Sequence, residues 1–200
     1  MSFWKSNKAN MVRVTDEQLV ERILAGEQPL LEVLYDRYST KVFHKCLSLI
    51  KDREAAKDCT HDIMVKVFMN LANFKGRSAF SLWVHSISYN YCMDYLQKQK
   101  RLDFSDYSET EYEHVSNDDI ELENKILHDV QLTHLEQAFE FLNPEEKIIL
   151  MMRYQDGMAV KEIAETLSIG ESAVKMRLKR SRDRLANILT EMEQVKKKYR

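Results

Sequence analysis

Between Thr15 and Arg101 the apolar residues fall three, four and seven apart, the repeat of a helix with one face on a core. The pattern predicts four helices. Asp16 can cap the first, which runs to about Ala25 and stops at Gly26. Pro29 opens the second, with Leu31, Leu34, Tyr38, Val42 and Leu49 as its stripe. The third begins near Arg53 and carries Ile63, Val67 and Leu71. A short polar break around Gly76 follows. The fourth helix starts at about Ala79, with Phe80, Val84, Ile87, Tyr91 and Leu96 as its stripe, and ends in Lys98, Lys100 and Arg101.

The helical period lapses after Arg101 and returns at about Leu122, with Leu127, Val130, Leu135, Phe139 and Leu142. Asn143-Pro144 is a strong helix start, because Asn caps and Pro suits the first turn. Glu145 and Glu146 then suit the positive helix end. This helix should run to about Tyr154 and be followed by Asp156-Gly157. Two more helices come next, split by Ser168-Ile169-Gly170. The expected fold is all-α: two helical domains joined by an acidic flexible linker, the second containing a helix-turn-helix. The expected bounds are residues 15–101, a linker at 102–121, residues 122–190, and a basic tail at 191–200.

Composition supports the helical reading. Only 4 Gly and 2 Pro occur, too few for a turn-rich β architecture. Net charge is −2, which says nothing of partners until its distribution is read. Asp103, Asp106, Glu109, Glu111, Glu113, Asp118, Asp119, Glu121 and Glu123 form an acidic block, expected to be extended by mutual repulsion. Downstream, Lys and Arg dominate from Lys175 to Arg200. The two fields cancel in the sum and persist locally.

No apolar run reaches the roughly 18 residues of a membrane span, and residues 1–14 hold no signal-peptide core. A cytoplasmic location is expected, with Cys46, Cys59 and Cys92 as free thiols. His44 with Cys46, and Cys59 with His61, lack the spacing of common zinc sites. No metal or other cofactor is expected. Phosphate loops and nucleophile elbows are absent from the sequence, so an enzyme has little support.

Residues 159–175 read as helix, tight turn, helix. Ile163, Leu167, Ile169 and Val174 should face inward, and small Ala164 should let the helices approach closely. The second helix has an apolar stripe of Val174, Leu178, Leu185 and Leu189 and an opposite basic face. It can therefore pack on its own domain and still enter a major groove. Ala159 and Gly170 replace the usual Ser or Thr caps, and Ala is a poor one.

At this point the chain resembles a known family. Leu142-Asn143-Pro144-Glu145-Glu146 through Arg153-Tyr154, then Gly157, Glu162-Ile163-Ala164, Val174-Lys175 and Arg177-Leu178, resemble the promoter-binding domain of extracytoplasmic-function (ECF) sigma factors of the sigma-70 family. Residues 56–68 resemble that family's polymerase-docking helix. Residues 74–78, Trp83, Asn90 and Asp94-Tyr95-Leu96 resemble its DNA-opening segment.

The resemblance implies an RNA polymerase sigma factor that binds the core enzyme at the β′ clamp helices and beside the β flap, and recognises −10 and −35 promoter DNA. It also implies an anti-sigma factor as a partner. Carried over, Asp58, His61, Asp62 and Lys66 would contact the polymerase. Asn73, Phe74, Lys75, Arg77, Ser78, Lys98, Lys100 and Arg101 would contact the −10 element, and Lys175, Met176, Arg177, Lys179, Arg180, Arg182 and Arg184 the −35 element.

His61-Asp62 stands where the family usually carries Gln-Glu, and Ser81, Ser86 and Ser88 where basic residues are common. Fewer phosphate contacts should make melting weaker. The competing reading is a one-component helix-turn-helix transcription regulator, whose N-terminal helices would sense a ligand or dimerise. Such a protein has no need of a polymerase-docking helix.

Overall fold

A computed structural model describes residues 14–102 and 132–198, and every regular element among them is helical. The acidic block, and the helical period expected from Leu122 to Val130, lie outside the described residues.

Helix α1 spans Asp16–Leu24. Its cap is Thr15, not Asp16 as the sequence suggested. Gln18 N–H donates to Thr15 Oγ1 at 3.3 Å, and Thr15 N–H donates to Gln18 Oε1 at 3.1 Å, a capping box. Thr15 holds the extended backbone a cap requires. Asp16 is already helical, so its carboxylate is left to accept from Arg37 (2.5 Å) and from the Tyr38 hydroxyl.

Both donors lie on α2, Leu30–Ile50. The chain reverses through Lys51 at φ 64°, and Asp52 caps α3, Arg53–Met69, by accepting from Ala55 N–H at 2.8 Å. A single 3-10 turn, Leu71–Asn73, leads into the polar loop, and α4 follows over Phe80–Leu102. Glu17 on α1 accepts the Phe80 N–H at 3.2 Å and so fixes the start of α4. Leu34, Val42, Cys46, Ile63, Met64 and Val84 are buried in this first core.

The second half starts with α5, Leu132–Glu140, and α6, Pro144–Leu150. Asn143 and Glu146 form the cap expected at Asn143-Pro144, at 2.9 and 3.0 Å. The helix runs on as one π turn, Met151–Gln155, and releases the chain at Asp156. Gly157 takes φ 68° there, a conformation that favours Gly. Helices α7, Val160–Leu167, and α8, Glu171–Lys198, form the helix-turn-helix, joined through Ser168 in the left-handed region. Ala159 has no capping side chain, but its N–H donates to the Glu162 carboxylate at 2.7 Å.

The two halves pack together, α4 against α6 and α7, and α2 against α6. Helix α4 therefore has two covered faces. Phe80 and Val84 of the expected stripe are buried, but so are His85, Ser88, Tyr89 and Cys92, while Ile87, Tyr91 and Leu96 are only partly covered.

Candidate polymerase and promoter surfaces

Asp58, His61, Asp62 and Lys66 are exposed along one face of α3. Asp58, Asp62 and Lys66 follow one another four residues apart and His61 stands three after Asp58, so they share that face. The Tyr91 hydroxyl on α4 donates to Asp62 Oδ2 at 2.5 Å, and Lys66 Nζ sits 4.8 Å from the Tyr91 ring centre. Burial, then the bond to Asp62, holds the Tyr91 hydroxyl above its ordinary pKa. The face is a braced acidic-basic surface rather than a set of loose side chains. Val65 and Met69 (80 % exposed) extend it, and the sequence reading passed over both. Their signal was available, since both are apolar residues off the Ile63–Val67 stripe.

Asn73, Phe74, Lys75, Arg77 and Ser78 line one side of a cleft of about 630 Å³, with Trp83 behind them. Phe74 and Trp83 pack on buried Phe80, with ring centres 5.2 and 5.5 Å from it, and Tyr38 meets Phe80 edge-on at 5.4 Å. This aromatic cluster anchors a loop whose polar residues Asn73, Lys75 and Arg77 stay exposed. Such a loop can offer stacking faces and hydrogen-bonding groups to an unpaired base. Lys75 Nζ donates to Ala72 O at 3.0 Å, and Asn73 Nδ2 to Asn70 Oδ1 at 3.0 Å. Lys98 is exposed further along α4; the side chains of Lys100 and Arg101 lie outside the described residues.

On α8, Val174, Leu178, Leu185 and Leu189 are buried as expected. Lys175, Arg177 and Arg184 are exposed, and Met176, Lys179, Arg180 and Arg182 are half-buried. Arg177 Nη1 lies 4.0 Å from Glu145, and Arg182 Nη1 donates to the Tyr154 hydroxyl at 3.2 Å. The split leaves a cationic face able to meet phosphates and base edges.

The far side of the cleft belongs to α7: Lys161, Glu162, Glu165 and Thr166. Beside it lies a polar cluster the sequence reading missed. Asp156, whose side chain is 3 % exposed, accepts from Lys45 Nζ on α2 at 2.6 Å and from the Tyr89 hydroxyl on α4 at 2.6 Å. His85 Nδ1 is 3.0 Å from the same carboxylate but is not aligned as a hydrogen bond. Burial would push the Asp156 carboxyl up, but the neighbouring His85, Lys45 and Tyr89 outweigh it and hold it below the usual carboxylate range. The sequence signal was Lys45 itself, a charge set between Val42, Cys46 and Leu49 on an apolar stripe.

Comparison with known proteins matches residues 34–102 to the model of Sigma-70 region 2 and residues 133–185 to that of Sigma-70, region 4. Together the two matches cover more than half of the chain, in the order of the fold. RNA polymerase sigma-H factor of Pseudomonas aeruginosa is 27% identical over 180 residues, covering 87% of this chain and 93% of its own. The ECF RNA polymerase sigma-E factor of Escherichia coli is 27% identical over 185 residues, covering 88% and 94%.

Two solved structures share the fold at TM-score 0.57: CnrH in complex with the cytosolic domain of CnrY (18% identical, covering 88% of this chain and 97% of CnrH), and the sigma factor RpoE in complex with the anti-sigma factor NepR from Bartonella quintana (17% identical, 80% and 96%). The chain belongs to the sigma-70 family, in its ECF branch.

Proposed function

We propose that this chain is an RNA polymerase sigma factor of the ECF type. It binds core polymerase, recognises −10 and −35 promoter elements and directs initiation, leaving the chemistry to the polymerase. The observation that carries this reading is the presence, in one chain, of a region 2 with an exposed charged face on α3 and a region 4 helix-turn-helix with a cationic face. A one-component regulator would need only the second.

In this reading Asp58, His61, Asp62 and Lys66 meet the β′ clamp helices. The loop of Asn73, Phe74, Lys75, Arg77 and Ser78 captures a −10 base, with Lys98, Lys100 and Arg101 on phosphate. Lys175, Met176, Lys179 and Arg180 face −35 base edges, while Arg177, Arg182 and Arg184 face phosphates. Residues 15–101 and 122–190 act as the two working domains, linked by 102–121 and followed by a basic tail at 191–200. The protein works in the cytoplasm. An anti-sigma factor is a further proposed partner, supported by the likeness to the sigma factor RpoE in its complex with the anti-sigma factor NepR. No helix among the described residues is long and apolar enough to cross a membrane.

The test is runoff transcription. Core polymerase lacking sigma should initiate from discrete genomic sites only when this chain is added.

A further inference from the structure

We propose that Cys46 on α2 and Cys92 on α4 are an oxidation site, at which a hydroperoxide converts the two thiols to a reversible disulfide that staples the core of region 2.

The Cys92 thiol donates to Cys46 Sγ at 3.7 Å, and both residues are fully buried. Bonded sulfurs stand about 2.05 Å apart, so closure asks for an approach of about 1.7 Å. Side-chain rotation with a small slide of two packed helices covers that distance. Cys59 on α3 shares the same core, but among the described residues only Cys46 and Cys92 have their thiols hydrogen-bonded to each other. The bond from Cys92 holds the Cys46 thiol below its ordinary pKa, against burial and with help from Thr60. The same bond, and then burial, pushes the Cys92 thiol up. The two thiols therefore take different parts: Cys46 attacks and Cys92 follows.

The Cys46 sulfur attacks one peroxide oxygen and the O–O bond breaks. The other oxygen leaves with the thiol proton, as an alcohol or, from hydrogen peroxide, as water, and Cys46 becomes a sulfenic acid. The Cys92 sulfur then displaces the hydroxyl from Cys46. The Cys92 proton leaves with that hydroxyl as water, and the S–S bond forms. Each sulfur gives up one electron and the peroxide takes two. Further oxidation of Cys46 would place an ionised sulfinate in an apolar core, which is strongly disfavoured, whereas the disulfide buries no charge. Burial also selects the oxidant: a bulky disulfide reagent is shut out, while hydrogen peroxide is little larger than water.

The bond closes residues 46–92 into one covalent ring, which holds all of α3 and the polar loop at 73–78. Such a ring restricts the unfolded chain and leaves the exposed side chains of both elements untouched. In a reducing compartment the bond is transient, so it guards region 2 during exposure to oxidant.

The test treats the full wild-type chain with hydrogen peroxide in native buffer, removes the oxidant with catalase, and alkylates the remaining thiols in urea. Non-reducing peptide mapping should find Cys46 joined to Cys92 within one chain, with Cys59 alkylated. The melting temperature should rise by at least about 5 °C over the reduced chain, and dithiothreitol should reverse both changes. Cys92→Ala, with helical circular dichroism unchanged, should leave a dimedone-reactive sulfenic acid on Cys46 and no rise.

No oxidation, links to Cys59, links between chains, or sulfinic acid on Cys46 as the main product would overturn the site. A disulfide that leaves the melting temperature unchanged or lower would overturn the staple. So would a loss of core-polymerase binding on oxidation that dithiothreitol restores. Should Cys92→Ala misfold, Cys59→Ala must still give the Cys46–Cys92 link and the same rise, and absence of the link there would overturn the pairing.

Discussion

Reversing the charge of Asp62 separates docking from folding. In Asp62→Arg the Tyr91 hydroxyl loses its carboxylate acceptor at 2.5 Å, and the new guanidinium stands one helical turn before Lys66. A hydrogen bond to a charged group is worth about 1.5–3 kcal/mol, less at an exposed site, and a like-charge pair one turn apart costs about 0.2–0.5 kcal/mol. Stability should fall by about 1–2 kcal/mol, with the fold kept.

Core binding should fall further than stability explains. A lost charge-assisted contact plus a repulsion costs about 1–3 kcal/mol, or roughly 5–150-fold in affinity. Tyr91→Phe is the matched control: it removes the same intramolecular bond and leaves the carboxylate in place. It should lower stability by about 1 kcal/mol and change core affinity by less than about threefold, under 0.7 kcal/mol. Urea melts give the first quantity, and fluorescence anisotropy with labelled chain and core polymerase gives the second. Wild-type affinity in folded Asp62→Arg would refute the docking assignment. Equal loss in Asp62→Arg and Tyr91→Phe would mean that Asp62 acts through the helix pair and not through the polymerase.

Three other outcomes are expected. Asn73→Ala and Lys75→Ala should slow open-complex formation while leaving −35 duplex binding intact. A promoter pre-opened by mismatches should partly rescue them, since the protein no longer has to drive unpairing. Arg180→Ala should relax base preference at one or two −35 positions at a cost of about 1–3 kcal/mol, whereas exposed Arg184→Ala should weaken all sequences alike and reduce the salt slope by about one; selection of −35 variants across a salt series reads both. Burial pushes the Cys59 thiol up to about 11, so at pH 8 roughly one part in a thousand is thiolate. With Cys46 and Cys92 buried as well, a disulfide thiol reagent should label none of the three until urea unfolds the chain, and fast native labelling would contradict the packing.

The helices were legible because each carries local signals: the Asn143-Pro144 start, the stripe of α2, and the Gly157 and Ser168-Gly170 breaks. The exposed face of α3 and the loop near Gly76 were legible for the same reason, as polar residues placed opposite or between apolar ones. Thr15 was passed over as a cap because both Thr15 and Asp16 are good capping residues, and only backbone conformation chooses between them. The double burial of α4 was not legible. Ser86, Ser88 and His85 look like a solvated face until α6 and α7 cover it, and that packing joins residues more than sixty positions apart in the chain. Lys45 was the one local hint, a charge on an apolar stripe that demanded a distant partner.

Addition of the purified chain to sigma-free core polymerase, with transcripts read from a genomic fragment library, tests whether the chain directs initiation. A sigma factor predicts new start sites that appear only with the chain, share two upstream elements, and weaken with Asp62→Arg. Specific binding of the chain to duplex DNA without core association, and no new start sites, would instead describe a one-component regulator and contradict the account.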